Sequence, residues 1–451
     1  MASLPQELID AIIDFLVELS HNDVDQQNQQ ALIKCLSVSR SFYERTRPHV
    51  FKHIIWKENV GPLKLGDDQN RNQLFFQIFE SNIPSDLKPL TSCVRQLSVL
   101  VCRPNKICDV RLDVSQEESD KSRNRLSRIL DRFTNLDSLA LHSGSSDFFN
   151  WNRLHLNMKT TIRNLCHTVT TLRFSAITEL PLVVLADCIN LRELRLHNIH
   201  KVNGLHCPWH PQSLRNLEIF DIHNVPGVIS DIRKASQSAP PVAFLKLKEC
   251  KLDLQPWMDE TDLLQRASHS LEQLSLYECP VLSDQRGTML SDFTALRSLR
   301  LRTTTRTQNT PFPTAQLGHL IMDLAPDSTL SIEEIVIEFV MFTPFGVKDI
   351  HEMFSEAYQR RWSSVDKTLT GPHYPLLRKI QLVFFEVRFP GVRDFGLPNE
   401  DAKLQMEASS ARFQGYASRI LPAVHLSSIE RVIEYHIFND SDPNFPQWEF
   451  S

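Results

Sequence analysis

Glycine is scarce: the chain of 451 residues holds 12, so a Gly-rich phosphate loop has little to be built from. No GxSxG elbow, Walker loop, GxGxxG fingerprint, HExxH or EF-hand loop occurs. Isolated Asp, His and Ser residues give no basis for a triad, and neither an enzyme nor a cofactor is expected. Long apolar runs are missing as well. The longest candidate, residues 180–189, contains Asp187 and falls short of the roughly 18 residues a membrane helix needs. Charge of one sign is missing: 49 Lys and Arg against 54 Asp and Glu give a formal charge of −5. That balance argues for neither nucleic acid nor a membrane surface as partner. The basic segment 121–128 adjoins Glu117, Glu118 and Asp120 and reads as a solvated helix.

The opening MASLPQELID has no basic start before an apolar core, so no secretion leader is expected. The nine cysteines are scattered and odd in number. Without a leader they read as reduced thiols in the cytoplasm or nucleus. Cys207 lies among His206 and His210, but no CxxC pair accompanies them. Zinc needs three or four ligands in a fixed array, so this loop reads as surface and no metal is expected.

What is present begins with residues 1–56. Ser3 can cap a helix, Gln6 can close a capping box, and Pro5 suits the first turn. The helix carries two apolar stripes: Leu8, Ile12, Phe15, Leu16 and Leu19, then Ile9 and Ile13 beside it. One stripe suffices to sit on a single core; two imply burial on two sides. A polar stretch, 20–30, is followed by a second helix with Ala31, Leu32, Cys35 and Leu36, and a third with Phe42. Pro48 is expected to end the third helix, and the β-branched, aromatic segment 50–56 reads as a strand. An amphipathic helix is expected over 71–79.

From residue 94 a Leu-x-x-Leu-x-Leu pattern recurs. Copies stand at Val94-Leu97-Val99, Leu136-Leu139-Leu141, Val169-Leu172-Phe174, Leu191-Leu194-Leu196, Leu214-Leu217-Ile219 and Val242-Leu245-Leu247. They continue at Leu271-Leu274-Leu276, Leu296-Leu299-Leu301, Ile332-Ile335-Ile337 and Leu377-Ile380-Leu382. A last copy begins at Ile429-Val432, where Glu434 breaks the third position. In a chain that is 41% hydrophobic, chance supplies such triplets at about 7% of positions. The surroundings add weight: NLRELRL, SLRNLEI, SLEQLSL and ALRSLRL share a small polar or small residue, a leucine and then a charge. Helix-like stretches such as 262–267, 316–324 and 347–362 lie between copies. Strand then helix at a repeating interval predicts an α/β repeat, an irregular leucine-rich-repeat solenoid with parallel strands on a concave face. Cys250 and Cys279 stand three residues after a final leucine, where such repeats take Asn or Cys.

The first segment resembles an F-box. The residues that carry the resemblance are Leu4, Pro5, Leu8, Ile12 and Leu16, then Leu32, Leu36, Val38, Ser39, Arg40 and Phe42. The connection between the first two helices is longer than usual, and Phe42 stands where many F-boxes have tryptophan. The chain as a whole resembles the F-box proteins with leucine-rich repeats. The resemblance implies an F-box over 1–56, a linker and N-terminal cap over 57–93, divergent repeats over 94–438 and a tail over 439–451. It implies adaptor contacts from Leu4, Pro5, Leu8, Ile9, Ile12, Ile13, Leu16, Leu32, Leu36, Val38 and Phe42. The adaptor would be a Skp-type protein bridging to a cullin scaffold, with the repeats presenting a protein substrate for ubiquitin transfer. A repeat scaffold without ligase role is the other reading.

Residues alternating with the core leucines face outward. That places Arg173, Arg195, His197, Phe220, Lys246, Lys248, Tyr277, Arg300, Arg302 and Lys379 on a candidate substrate face. Basic residues outnumber acidic ones there, which points to an acidic or phosphorylated partner.

Overall fold

In the computed structural model, residues 5–20, 26–59, 75–80, 89–102, 125–144, 148–181, 183–186, 188–200, 215–225, 244–253, 266–277, 293–305, 329–344, 356–389, 411, 413 and 420–439 are described. Ser3, Leu4, Leu214, Val242, Cys279, the 206–210 loop, the helix expected over 316–324, the first parts (71–74, 262–265 and 347–355) of those expected over 71–79, 262–267 and 347–362, and the tail beyond Asn439 lie outside them. The fold is α/β with parallel strands. The chain divides into two compact units, Met1–Ser213 and Leu214–Ser451.

The first unit opens with three helices: α1 (Gln6–Ser20), α2 (Gln26–Cys35) and α3 (Arg40–Val50). Ile9, Ile13 and Leu32 form their core, with Leu16, Phe42 and Val50 packed against it. Ser39 caps α3 by accepting the Phe42 N–H. Pro48 does not end α3 but sits inside its last turn. Its missing N–H removes one bond to the preceding turn, yet Phe51 still donates to the Arg47 carbonyl and closes the helix beyond it. The capping box expected of Ser3 and Gln6 involves a residue outside those described; the Gln6 side-chain amide donates to Asp10 within the helix.

Strands β1 (His53–Asn59), β2 (Gln96–Cys102), β3 (Ser138–Ser143), β5 (Thr171–Thr178) and β6 (Glu193–His200) follow, each parallel to the next, and the short β4 (Phe149–Asn150) adds to β5. Helical segments α4 (75–80), α5 (125–130), α6 (Leu156–Cys166) and α7 (Val183–Ala186) lie between strands, as parallel neighbours require a crossover. α4 brings Phe75, Phe76 and Phe79 against Trp56 and Phe133, so the segment read as amphipathic is an aromatic lid on the first strand.

One backbone arrangement recurs at β2, β3, β5 and β6. Two successive N–H groups donate to a single carbonyl of the preceding repeat: Arg95 and Gln96 to Lys52, Asp137 and Ser138 to Arg95, Thr170 and Thr171 to Asp137, Arg192 and Glu193 to Thr170. The series starts at Lys52, so Phe51-Ile54-Trp56 is a copy that the triplet pattern overlooked. Ile54 is the register partner of Leu97, and Trp56 that of Val99. Strand 50–56, read with the helices, is thus the first strand of the sheet.

The second unit repeats the arrangement over β7 (Ile219–His223), β8 (Glu249–Asp253), β9 (Gln273–Tyr277), β10 (Ser298–Thr305), β11 (Glu334–Pro344), β12 (Lys379–Phe389) and β13 (Glu430–Asn439), with α8 (Glu356–Leu369) and α9 (Pro422–Leu426). All six pairings are parallel. Asp366 on α8 is buried and accepts from the N–H groups of Ala423 and Val424 at 2.7 and 2.9 Å, tying α9 to α8.

Three expected copies are displaced here. Phe220 pairs with Cys250 and Cys250 with Leu274, so the core triplets are Leu217-Phe220-Ile222 and Leu247-Cys250-Leu252. Leu245, expected in the core, is exposed. Cys250 fills a leucine position rather than the bend. At the C-terminal edge Arg431 pairs with Ile380 and Ile433 with Leu382. Glu434 therefore breaks nothing, since it lies on the other face, where it accepts from Gln381.

Two residues before the ends of β5 and β6, and just after β7, Ala176, Asn198 and Asn224 have positive φ. Asn tolerates that region better than most residues. The residues that follow, Ile177, Ile199 and Val225, turn back into the core. The inward bend position is thus apolar in these copies, not Asn or Cys.

Candidate binding surfaces

The three helices divide their apolar residues cleanly. Ile9 and Ile13 lie a helical turn apart and face inward, while Leu8 and Ile12, one position back on the helix, face out with 53% and 43% of their surface accessible. Adjacent helical positions are about 100° apart, so a double stripe cannot be buried on one core. The same split occurs on α2, where Leu32 is buried and Ile33 is half accessible. Val38 and Pro5 are also exposed. Leu16, Leu36 and Phe42 are half-buried. Arg45 fixes α3 to α1 through Asp14 at 2.7 Å and Asp10 at 3.4 Å. Among the described apolar side chains of these helices and their turns, Pro5, Leu8, Ile12, Ile33 and Val38 are therefore the exposed ones, whereas Ile9, Ile13 and Leu32 are committed to the interior. Ile33 was missed in the sequence reading; its place directly after an inward leucine on a helix was the signal.

On the sheet of the first unit the outward positions alternate with the buried leucines. Arg173 and Arg195 are register partners. Both converge on Glu193: Arg173 donates through Nε at 3.1 Å and Nη2 at 2.8 Å, and Arg195 through Nε at 2.6 Å. The next outward row runs His142, Ser175, His197, with His142 Nδ1 2.6 Å from the Ser175 hydroxyl. Burial holds the His142 imidazole below its ordinary pKa, and the charges of Arg173 and His197 add to that. These side chains can offer charged and neutral N–H donors to an anion.

The outward face of the second unit is built differently. Its rows interleave acids with bases. Glu338 takes both Arg302, at 2.6 Å, and Arg300, at 3.3 Å. Both members of the Arg302–Glu338 pair are almost fully buried, at 8% and 5% side-chain accessibility. Arg302 also lies over the Tyr277 ring at 4.9 Å, and Tyr277 meets the edge of His223, which pairs with Asp253 at 2.6 Å. Burial pushes the Tyr277 hydroxyl well above the usual tyrosine range. Lys379 pairs with Glu334 at 2.9 Å, and Lys248 approaches Glu218 at 3.8 Å.

Three expected substrate-face residues move. Phe220 is fully buried in the core, because the strand register is displaced from the spacing assumed. Lys246 stands in the turn before β8, and Lys248 just before the strand; both are exposed but off the strand face. Arg302 is on the face but closed off by Glu338 and Tyr277.

Among the described residues no group of three or more His, Cys, Asp or Glu is placed to hold a metal ion, and no helix is long and apolar enough to cross a membrane. Compared with known proteins, the chain matches no family model and no curated sequence.

Proposed function

We propose that the chain is the substrate-recognition subunit of a Skp-cullin-F-box ubiquitin ligase working in the cytoplasm or nucleus. In this reading α1–α3 bind a Skp-type adaptor and the sheet face binds a protein substrate. The observation that carries it is the exposure of four large apolar side chains in the helical segment: Leu8 and Ile12 on α1, Ile33 on α2 and Val38 in the turn before α3. Burying apolar surface is the main driving force for association, and a standard interface covers about 1,600 Å² in total. Side chains of this kind contribute about 2 kcal/mol each when they are hot spots. The helices hold their own core on the opposite stripe, so the open face is not needed to keep them folded.

A second reading has one observation in its favour. α3 ends at Val50 and β1 begins at His53, so the helices adjoin an end strand of the sheet in their unit. A helical cap that covers a strand edge against unwanted pairing would stand in that place. The chain would then be a leucine-rich-repeat scaffold without a ligase role.

A pull-down of the full chain on a purified Skp-type adaptor separates the two. Capture by the wild type, lost in a Leu8→Asp, Ile12→Asp variant that keeps its circular dichroism, supports the receptor. No capture by either leaves the scaffold.

A further inference from the structure

The first strand of one unit and the last strand of the other are finished differently. At β1, Trp56 of the core row is covered by Phe75 and Phe76 of α4. At β13 the described residues supply no such cover. Arg431, Ile433 and Tyr435 continue the rows that Ile380, Leu382 and Phe384 hold one strand earlier. Those three are fully buried, whereas Arg431, Ile433 and Tyr435 are only half-buried. α9, packed beside β13, ends on Leu426, which keeps 86% of its surface accessible. A terminal repeat ordinarily closes its core with a polar outer face; here isoleucine, tyrosine and leucine side chains stay open.

The strand edge is open as well. β13 runs for 10 residues beside β12 and pairs with no second strand among the described residues. Glu430 donates its N–H to the Arg378 carbonyl, and the register with β12 continues unbroken to Asn439. Backbone groups alternate along such a ladder, so those of Glu430, Val432, Glu434 and His436 turn to β12. Those of Arg431, Ile433, Tyr435 and Ile437 turn away from it. A row of unpaired N–H and C=O groups is a template for another strand.

We propose that this edge pairs with the same edge of a second copy of the chain, forming a two-fold dimer joined by an antiparallel β13–β13 seam. A two-fold axis sets identical patches against each other. With the axis on a residue of the strand, a residue that turns outward meets another that turns outward, so the free donors and acceptors of both copies match. The charges favour the same arrangement. With the axis at Ile433 or Tyr435, each His436 stands opposite a glutamate of the other copy, Glu430 or Glu434, and its imidazole can donate to that carboxylate. In both registers Ile433 meets an isoleucine of the other copy. An axis at Val432 or Glu434 would set glutamate against glutamate. His436 and Glu430 are exposed, and His436 already lies 3.1 Å from Glu434 in its own strand, so carboxylate and imidazole are at hand on the outer row. The seam does not depend on the adaptor reading.

Sedimentation velocity of the full-length chain over a range of concentrations tests it, with circular dichroism to check that each variant is folded. The wild type is expected to sediment as a dimer at micromolar concentrations and to dissociate on dilution. His436→Glu, which sets acid against acid, should weaken the dimer at least tenfold. Adding Glu430→Lys and Glu434→Lys to it should recover most of that loss, a gain that misfolding does not produce. Ile433→Pro removes an outward N–H and none from the ladder to β12, a place where an edge strand tolerates proline, and should leave a monomer. Leu8→Asp with Ile12→Asp should leave the dimer unchanged. A monomeric wild type overturns the proposal and leaves the edge to a strand of another protein. So does a dimer that survives His436→Glu or a folded Ile433→Pro, or one that the added lysines do not recover. A chain that captures the adaptor as a monomer loses this inference alone. A dimer that captures no adaptor keeps it and loses the ligase reading.

Discussion

The outward faces of the two units carry similar numbers of arginines and lysines and differ in their acids. In the first unit Arg173 and Arg195 lean on a single Glu193. In the second, Arg300 and Arg302 close on Glu338, Lys251 on Glu249 and Lys379 on Glu334. The row just before the strands alternates outright: Glu218, Lys248, Glu272, Arg297, Glu333 and Arg378 follow one another through the backbone ladder, with Arg297 and Glu333 2.8 Å apart. A cation count therefore says little about a binding face. What matters is the charge that the next repeat sets beside each cation. In the second unit Glu338 and Glu334 join neighbouring repeats, while Lys251 and Glu249 pair within β8; in the first, Glu193 takes one arginine from the preceding repeat and one from its own strand.

The largest effect that would break this comparison concerns which residues belong to the second face at all. Phe220→Ala is expected to cost about 3 to 5 kcal/mol, because an inward aromatic leaves a cavity. Its half-buried neighbour Ile219→Ala should cost under about 1 kcal/mol, because it is not in the core row. Urea unfolding followed by circular dichroism measures both. The reverse order would restore the register assumed from spacing, and with it Phe220 as a surface residue.

Glu338→Ala comes next. It leaves the nearly buried Arg302 without its carboxylate, for a loss of about 3 kcal/mol. Replacing both Glu338 and Arg302 with Met should recover more than half, since an apolar pair of similar volume avoids burying a charge. Arg173→Gln in the first unit is expected to change stability by no more than about 0.5 kcal/mol, because its pair with Glu193 is partly solvated. Similar losses at both sites would erase the distinction between buried and partly solvated pairs.

The smallest effect is a pH dependence confined to the first face. The folded-state pKa of His142 is lowered by burial and by Arg173 and His197. The unfolded chain therefore binds this proton more readily than the folded one. The contribution of His142 to stability is full above about pH 6.5 and is lost as pH falls through the lowered folded value. His53, lowered by burial, acts in the same direction. The urea midpoint should drop between pH 7.5 and pH 5.5, and His142→Gln should shrink that drop. A midpoint that rises on acidification would show that the imidazole is charged in the folded state.

Much of the repeat was legible because a leucine row imposes a period. Leu136-Leu139-Leu141, Leu191-Leu194-Leu196 and Leu296-Leu299-Leu301 occupy the core positions expected from their spacing. The copies that went astray are those in which the core residue is not leucine. Phe220, Cys250 and Arg431 fill leucine positions, and nearby leucines such as Leu245 offered a false match. Trp56 escaped for the same reason. In the candidate helical site the stripes were visible, but which one faced inward was not, since Leu8 and Ile9 are equally apolar. Leu32 on α2 decided that, by packing against Ile9 and Ile13.

The sequence by itself determined the element types and their alternation, because hydrophobic period and turn chemistry act over a few residues. It also set the absence of glycine-rich loops and of recognisable catalytic spacings. Only the tertiary structure decided strand register, the inward stripe of α1 and the pairing of charges between repeats. Each of those depends on which residue of a distant segment arrives alongside. Register follows from the shared carbonyl at Lys52, Arg95 and their successors. Once it is set, Glu338 lands beside two arginines from the preceding repeat, while Glu193 lands between Arg173 of the preceding repeat and Arg195 of its own strand.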